Sequence, residues 1–599
     1  MLLNSLIDLF KALTAKQRIS LYKIQFLVVF MAVSEVIGIS MIGPFLALVS
    51  DPTLLEKEGF LKSIFIFSGV QNPNDFIFFA GAGVLTVLFT SALVSSITIR
   101  AVLYYAQRLG AEMSSSLYDY YMRQNWLFHN SINSSKLMNN VVSESNRVTS
   151  SVLYPFMILN AKAVVGVAII SLLISIDFMV TIFGAFVFGG LYIIIYKFVQ
   201  FKLNQNGEKI SDSMRIRFRL LNEGFDGIKD TLILGRSLIF RERFYESSMK
   251  LGKSYGSNLT MNEVPKYWVE LLAFGAMISL ILFLLANNEG KLPQILPTLG
   301  IFAMASYKLL PVFQQVYGNL TFIKGALPAL NSIKDDLISW KKIVEDKKVS
   351  FTNDDILFES LDLDNVSFQY PNKDLNAIEN VSLEIKKNQI VGFVGKSGSG
   401  KSTLADIILG LLDPQKGKIK INGNSLNDSN RRSWLNNFGY VSQNIFLSDS
   451  SIRENIAFGI PEDKINEDQI SKCIKLANLD ELLATLPDGI NTFIGEKGLQ
   501  LSGGQRQRVA IARSLYNDPS ILIFDEATSA LDGLNEKLIM DSIHSLSGKK
   551  TIILIAHRLN TIKKCDLIYL FDQGKLVDSG SFENLKSKNK IFDEMSLNA

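Results

Sequence analysis

Six long apolar stretches in the first 325 residues constrain the fold more than any other feature of the sequence. A bilayer core of about 30 Å is crossed by about 20 apolar residues in a helix. Backbone groups in lipid must be hydrogen-bonded internally, so only helices and closed barrels cross a membrane. The stretches predict a membrane α-helical domain with six transmembrane helices, at residues 24–49, 76–99, 153–176, 178–198, 267–286 and 295–318.

The charge balance excludes several other classes of protein. Lys and Arg number 61 against 57 Asp and Glu in 599 residues, an excess too small for a protein that wraps nucleic acid or for an acidic disordered chain. We therefore expect no nucleic acid partner. The two cysteines, Cys473 and Cys565, exclude a disulfide scaffold and a structural zinc site built from cysteines.

Basic residues predict which side of the membrane each loop faces, because cytoplasmic loops carry an excess of Lys and Arg. The loop at residues 100–152 carries five basic and three acidic side chains, and the loop at 197–266 carries thirteen and eight. Both termini and both long loops are therefore predicted to be cytoplasmic. We expect the tips of the long loops, near residues 126–133 and 225–234, to dock on a cytoplasmic domain.

The composition becomes polar near residue 341, where a run of charged side chains begins. Short β-rich runs then alternate with helical ones, which is the pattern of an α/β domain. The sequence therefore predicts a transmembrane domain at residues 1–340, a linker at 341–358 and an α/β domain at 359–599.

A phosphate-binding motif follows the run QIVGFV at residues 389–394, which is typical of a buried strand. The next residues match G-x-x-x-x-G-K-[ST] and lead into a helical run, so a chance glycine-rich turn is disfavoured. Glycines let the backbone N–H groups and the helix N-terminus face phosphate oxygens. Lys401 would contact the β- and γ-phosphates of ATP, and Ser402 would ligate Mg²⁺. The predicted ATP-binding residues here are Gly395, Lys396, Ser397, Gly398, Ser399, Gly400, Lys401, Ser402 and Thr403.

Acidic residues end a second apolar strand, predicted at residues 521–524. Asp525 could hold Mg²⁺ through water, and Glu526 could polarise the water that attacks the γ-phosphate. A third predicted strand, at 551–555, ends near His557, one of three histidines in the chain. A lone histidine is more often structural, but parallel sheets bind ligands at this edge, so His557 is a candidate catalytic residue.

A second phosphate-binding sequence precedes the helical run RQRVAIARSLY and consists of Ser502, Gly503, Gly504 and Gln505. Ser-Gly-Gly at a helix N-terminus presents backbone N–H groups to an anion. One nucleotide does not use two such loops of the same domain. The second loop is therefore predicted to serve the nucleotide of a neighbouring chain.

The combination of GKSGSGKS, LSGGQ and ILIFDEATSALD resembles the nucleotide-binding domain of ABC transporters. This resemblance covers residues 359–582 and implies an α/β P-loop ATPase domain that binds ATP and Mg²⁺. It implies that Tyr370 stacks on adenine, that Gln443 contacts Mg²⁺ and that His557 lies near the γ-phosphate. Residues 495–498 (GEKG) resemble the segment that contacts the intracellular loops of exporters, and Asp532 resembles the acid that links two ATP sites across a dimer. The hydrolytic set is complete, so the resemblance implies hydrolysis.

A membrane domain with one ATPase domain in the same chain resembles an ABC exporter half-transporter, which implies the ABC exporter fold and a homodimer in the lipid bilayer. The segments SEVIGISMIGPFLALVSD, NEVPKYWVELLAFG and IFAMASYKLLPVFQQVYGNL resemble the bacterial lipid-linked oligosaccharide flippases of protein N-glycosylation. This resemblance implies the bacterial inner membrane and a polyprenyl-pyrophosphate-linked oligosaccharide substrate. A multidrug or lipid A-type exporter is the alternative. An ATP-gated channel or regulator is less favoured because Glu526 and His557 are present.

Ionisable residues inside predicted spans are candidates for substrate contact, because such residues usually face a cavity or a partner. Glu35 lies in the first span, Lys308 in the sixth, and Lys266 at the start of the fifth. If the flippase resemblance holds, Lys308 and Lys266 attract the pyrophosphate of the substrate. The alternative is that the lysines reach the inner headgroups and that Lys266 pairs with Glu270, one helical turn away.

Overall fold

The protein forms two compact units in a computed structural model. The model describes residues 2–50, 52–55, 60–174, 178–287, 292–345, 356–371, 373–526, 533–556 and 558–597. One unit comprises residues 1–124 and 128–347, and the other comprises Lys348–Ala599 together with Asn125–Leu127. Two of these three residues, 126 and 127, belong to the predicted tip of the first long loop.

The first unit is helical. Its helices are α1 (Leu2–Ala12), α2 (Ala15–Ser40), α3 (Ile42–Ser50), α4 (Phe60–Ser68), α5 (Pro73–Met122), α6 (Trp126–Ser131), α7 (Ser134–Met138), α8 (Ser145–Val148), α9 (Tyr154–Ile174), α10 (Phe178–Asp226), α11 (Ile228–Ile233), α12 (Ser237–Asn287) and α13 (Leu292–Glu345). A 3₁₀ turn covers Pro52–Leu55, and π-helical segments cover Asn139–Glu144 and Thr149–Leu153, on either side of α8.

Four of these helices are far longer than a membrane is thick. Helices α5, α10, α12 and α13 contain 50, 49, 51 and 54 residues. At about 1.5 Å per residue each is about 75 Å long, more than twice the bilayer core. Most residues of the predicted long loops therefore lie in helical extensions of the spans, with short helices at the tips. At its start, α5 has Asn72 as the N-cap and Pro73 in the first turn, which fixes where the helix begins.

Three stretches among the described residues are long and apolar enough to cross a membrane: Ala15–Phe45, Pro73–Met122 and Ser134–Ser171. They contain most of the first three predicted spans. The predicted spans at 178–198, 267–286 and 295–318 lie on α10, α12 and α13, but many of their side chains lie outside the described part of the chain.

Close helix contacts occur where one helix presents a glycine to another. A Cβ on Gly110 of α5 would collide with the Thr149 side chain, and one on Gly207 of α10 would collide with the carbonyl oxygen of Gly325 on α13. Any larger residue would force these backbones apart. Buried Leu109, Val152 and Ile323 form part of one hydrophobic cluster that joins α1, α2, α5, α9 and α13.

The second unit contains two sheets. The strands are β1 (Ser360–Phe368), β2 (Ile378–Lys386), β3 (Ile390–Val394), β4 (Lys416–Ile421), β5 (Asn424–Ser425), β6 (Phe438–Val441), β7 (Ile521–Asp525), β8 (Thr551–Ile555), β9 (Leu567–Asp572) and β10 (Lys575–Gly580). One sheet is antiparallel in the order β2-β1-β4-β5. The other has the order β10-β9-β3-β8-β7-β6, with parallel pairing from β9 to β6.

The helices of this unit are α14 (Lys401–Ile408), α15 (Arg431–Leu435), α16 (Ile452–Ile456), α17 (Glu467–Leu476), α18 (Asp480–Thr485), α19 (Gly503–Leu515), α20 (Gly533–His544), α21 (Phe582–Lys588) and α22 (Lys590–Leu597). The predicted strands at 389–394, 521–524 and 551–555 are confirmed as β3, β7 and β8. These neighbours are parallel, so their carboxyl ends meet at one edge, where parallel sheets bind ligands.

Candidate functional site

The loop between β3 and α14 has a backbone conformation that favours glycine at two positions. Gly398 and Gly400 have φ of +79° and +98°, in the left-handed region that side chains disfavour. A Cβ on Gly400 would also lie 2.5 Å from the carbonyl oxygen of Ala377. The glycines of the motif therefore determine a tight loop that ends at the N-terminus of α14.

Lys401 is folded into this loop. Its ammonium group donates to the carbonyl oxygens of Gly395 at 2.8 Å and Lys396 at 3.0 Å, and to the hydroxyl of Ser399 at 3.4 Å. The residue is only 5% exposed. Burial lowers the pKa of Lys401, and the nearby carboxylates of Glu526 and Asp525 oppose this shift. The loop thus holds a positive charge at the predicted phosphate site.

Tyr370 lies beside the start of α14. Its hydroxyl is 3.3 Å from Oγ1 of Thr403, and its ring packs edge-on against Phe368 with the ring centroids 5.0 Å apart. The structure therefore brings Tyr370 next to the phosphate loop, although the two are about 30 residues apart in the sequence.

Asp525 ends β7 and is 4% exposed. Burial raises the pKa of its carboxyl group, while hydrogen bonds from Ser402 and Tyr440 and the charge of Lys401 lower it. Its Oδ1 atom has no hydrogen-bond partner among the described residues. A buried acceptor without a partner is costly, so this atom is suited to a cation.

Glu526 follows with a φ of +50°, which is uncommon for a residue with a side chain. Its backbone N–H donates to the carbonyl oxygen of Ile555 at the end of β8, 3.0 Å away. Its carboxylate accepts a hydrogen bond from Nε2 of Gln443 over 2.7 Å. The strained backbone is therefore held by the neighbouring strand and points the carboxylate at Gln443.

The oxygen donors at this edge fit Mg²⁺. Ser402, Asp525 and Gln443 supply a hydroxyl, a carboxylate and an amide oxygen, which are the ligand types that Mg²⁺ prefers. The described residues contain no group of three or more His, Cys, Asp or Glu side chains that could hold a metal. Mg²⁺ is usually bound through one or two carboxylates together with substrate phosphates.

Ser502 is the N-cap of α19, which begins where the sequence predicts a helix N-terminus. Its backbone N–H donates to Oε1 of Gln505 at 2.8 Å, and its hydroxyl accepts from the backbone N–H of Gln505 at 3.3 Å. This reciprocal capping fixes the first turn of α19, where Gly503 and Gly504 lie. Ser502 itself is exposed, so this helix end is accessible from outside the unit.

Two predicted residues lie outside the described part of the chain: His557 and Asp532. Residues 495–498 are described, and a 3₁₀ turn covers Glu496–Gly498. Tyr440, on the adjacent strand β6, was not predicted as a site residue, although its side chain interacts with the carboxyl group of Asp525. The sequence signal that could have indicated Tyr440 is its position three residues before Gln443.

The predicted substrate residues have different surroundings. Glu35 on α2 forms an ion pair with Lys162 on α9, with Oε2 and Nζ 3.4 Å apart. Lys266 forms its ion pair with Glu263, at 3.5 Å on the same helix, in place of the expected Glu270, and lies 5.0 Å from the ring centre of Tyr267. Lys308 lies on α13, but its side chain is outside the description.

A glycine-rich phosphate loop, an Asp-Glu pair at the edge of a parallel sheet and a capped Ser-Gly-Gly helix occur together in the nucleotide-binding domains of ABC proteins. The ABC transporter family model matches residues 378–529. A bacterial Atm1-family ABC exporter with ATP bound superimposes with a TM-score of 0.76 at 21% identity, over 98% of this chain and 99% of the other. The chain thus carries an ABC transporter domain and has the fold of an ABC exporter.

Two relatives show how far the sequence similarity extends. The heterocyst differentiation ATP-binding protein HepA of a Nostoc species is 35% identical over 364 residues, which cover 61% of this chain and 58% of HepA. The ATP-dependent lipid A-core flippase of Shewanella frigidimarina is 27% identical over 544 residues, 89% of this chain and 90% of the flippase. The alignment thus spans less than two thirds of HepA and most of the flippase.

Proposed function

We propose that this chain is one half of an ATP-driven exporter or flippase that moves an amphiphilic substrate out of the cytoplasm. The observation that carries the proposal is the hydrogen bond between Gln443 and Glu526 beside the phosphate loop. A carboxylate in that position can polarise water, and the same chain supplies apolar helices long enough to cross a membrane.

ATP hydrolysis in this proposal uses the residues at the sheet edge. Lys401 and the N-terminus of α14 bind the phosphates, and Glu526 orients and polarises the attacking water. Ser402, Asp525 and Gln443 would hold Mg²⁺, which when bound neutralises charge on the phosphates. Tyr370 would stack on the adenine, and His557 would stabilise charge at the γ-phosphate.

The proposed active unit is a homodimer. Large apolar side chains are exposed on and beside α11: Phe225 by 71%, Leu232 by 67% and Ile233 by 71%. Large apolar side chains exposed close together in the sequence favour an interaction surface, and a second copy of the ATPase domain is the proposed partner. Two-fold symmetry then gives two equal ATP sites, each with residues 395–403 of one chain and residues 502–505 of the other.

Mixed dimers test this arrangement. A Lys401→Ala chain paired with a Ser502→Arg chain places both defects in one composite site and leaves the other intact. We expect the doubly tagged mixed dimer to trap about half as much nucleotide as the wild type, and each mutant homodimer to trap far less. If each chain formed its site alone, the mixed dimer would have no intact site and would behave like the mutant homodimers.

The proposed substrate is a polyprenyl-pyrophosphate-linked oligosaccharide, with its lipid tail left in the bilayer and its pyrophosphate near Lys266 and Lys308. The similarity to a lipid flippase along most of the chain supports a lipid substrate. The proposed location is a bacterial inner membrane, with the ATPase domain and both termini in the cytoplasm. A lipid A-type lipid or a cationic drug is the alternative cargo.

The test measures ATPase stimulation in nanodiscs by polyprenyl-pyrophosphate glycans, lipid A and cationic drugs. We expect stimulation by the glycan, loss of it in Lys266→Ala and Lys308→Ala, and unchanged basal ATPase, since the ATP site lies in the other unit. Lys253→Ala, an exposed change on the same helix α12, is the control. Stimulation by drugs alone would favour the multidrug alternative.

A further inference from the structure

Arg513 lies near the end of α19, the helix that begins at the Ser502 cap. Its guanidinium donates from Nε to the carbonyl oxygen of Asn455, from Nη2 to Oδ1 of the same residue, and from Nη1 to the carbonyl oxygen of Phe446, each over 2.7 Å. Three of its donors thus bind two residues in the segment that follows Gln443.

Asn455 is fully buried, with 0% exposure. Its amide nitrogen donates to the carbonyl oxygens of Ser448 at 3.1 Å and Ser451 at 3.0 Å, and its Oδ1 accepts from the backbone N–H of Ser448 at 3.0 Å. Phe446 is only three residues after Gln443. The guanidinium and Asn455 together therefore fix the backbone that leads from Gln443 to α16.

No ion pair found among the described residues includes Arg513, and its acceptors are neutral carbonyl and amide oxygens. Its guanidinium lies 4.6 Å from the ring centre of Phe458. Burial lowers the pKa of Arg513 to about 10, which reflects the cost of placing a charge there. The planar geometry of the donors, which lysine lacks, explains an arginine at this place better than charge pairing does.

We propose that Arg513 is a positioning residue. It couples the end of α19 that carries Ser502 to the segment that carries Gln443 in the same chain. One end of α19 carries Ser502 and Gln505, which would face the partner's nucleotide in the proposed dimer. The other end holds the segment of Gln443, whose amide contacts Glu526. A shift of α19 on nucleotide binding would thus reach the catalytic carboxylate of the same chain. This inference rests on the proposed function.

The test compares Arg513→Lys with Arg508→Lys in the full-length protein in nanodiscs. Arg508 lies on the same helix and donates to the carbonyl oxygen of Asn478 at 2.7 Å, away from the Gln443 segment. For Arg513→Lys we expect kcat to fall about tenfold and the Hill coefficient for ATP to fall toward one. ATP affinity, measured on a Glu526→Gln background, should stay within about twofold because the Lys401 loop is unchanged. Arg508→Lys should match the wild type in all three.

Wild-type kcat and cooperativity in Arg513→Lys would overturn the inference, as would equal losses of affinity and turnover. If Arg513→Lys does not fold, Asn455→Asp keeps all three acceptor atoms of Arg513 but removes the amide donor that holds Ser448 and Ser451. The inference predicts the same loss of cooperativity there, and unchanged cooperativity would contradict it. Absence of ATPase activity in the wild type would instead contradict the proposed function. Non-cooperative hydrolysis by the wild type would contradict only the proposed role of Arg513.

Discussion

Gln443 donates a hydrogen bond from Nε2 to Oε2 of Glu526 over 2.7 Å, although 83 residues separate them. The contact joins the end of β6 to the end of β7 and fixes the carboxylate that we assign to water activation. Any movement of the Gln443 segment therefore alters the position of Glu526.

Glu526→Gln should retain ATP binding and lose turnover. An amide keeps the size of the carboxylate but cannot polarise water or accept a proton, so we expect kcat to fall at least about 100-fold. Binding of a fluorescent ATP analogue should be unchanged, whereas Lys401→Ala should weaken it. Hydrolysis by Glu526→Gln at the wild-type rate would show that another residue activates the water.

Glu35 and Lys162 should behave as a unit. Their side chains are 31% and 16% exposed and pair across α2 and α9, so Lys162→Met leaves an uncompensated carboxylate inside the helical bundle. We expect each single change to cost about 1–3 kcal/mol. The double variant Glu35→Gln, Lys162→Met should recover much of the loss, as measured by thermal unfolding in nanodiscs. Additive losses would contradict the pairing.

Lys341 should stabilise the first helix. Its ammonium donates to the carbonyl oxygens of Lys11 at 2.8 Å and Leu13 at 3.1 Å, at the C-terminal end of α1, where a positive charge is favourable. Lys341→Met should cost about 1 kcal/mol and accelerate hydrogen exchange in α1. The neighbouring Lys342 is exposed, so Lys342→Met is the matched control. Equal exchange rates in both variants would show that the contact does not stabilise α1.

Asp406 on α14 should destabilise the protein at neutral pH. Burial raises the pKa of its carboxyl group to about 6, the Trp126 side chain opposes this by hydrogen bonding, and Asp525 adds to the rise. Because the folded-state pKa exceeds the unfolded one, this carboxyl contributes stability below about pH 4 and loses it as the pH rises through about 6.

Replacing Asp406 with Asn removes this titration. Asp406→Asn should therefore be more stable than the wild type by about 2–3 kcal/mol at pH 7, with the difference disappearing near pH 4. Thermal unfolding of the full chain across this pH range measures it, with the exposed Asp463→Asn as the control. A pH-independent difference would show that Asp406 does not titrate in this range.

Much of the fold could be predicted because its signals are local. The motif at residues 395–402 required a strand before it and a helix after it, and the structure has β3 and α14 in those places. The residues before RQRVAIARSLY predicted a helix N-terminus, and α19 begins there, at Gly503. The apolar runs predicted membrane helices, and three of them satisfy the length and composition criteria in the described residues.

The contacts that complete the site could not be predicted in this way. Lys266 forms its ion pair with Glu263 and not with Glu270, although both glutamates lie about one helical turn from Lys266. The side-chain rotamer and the local packing decide between such neighbours. The Glu35–Lys162 pair joins residues 127 positions apart, and the sequence showed only that each was a charge inside or beside a span. The role of Arg513 could not be predicted either, because Asn455 and Phe446 are 58 and 67 positions away in the sequence.

The sequence by itself determined what depends on neighbouring residues: the apolar lengths that cross a bilayer, the glycines that permit φ of +79° and +98° in the phosphate loop, and the Ser502 cap. The tertiary structure alone decided which side chains meet, namely Gln443 with Glu526, Glu35 with Lys162, and Arg513 with Asn455. The reason is physical. Backbone conformation and hydrophobic length are set by a few adjacent residues, whereas a contact between distant side chains exists only after helices and strands have packed and fixed their register.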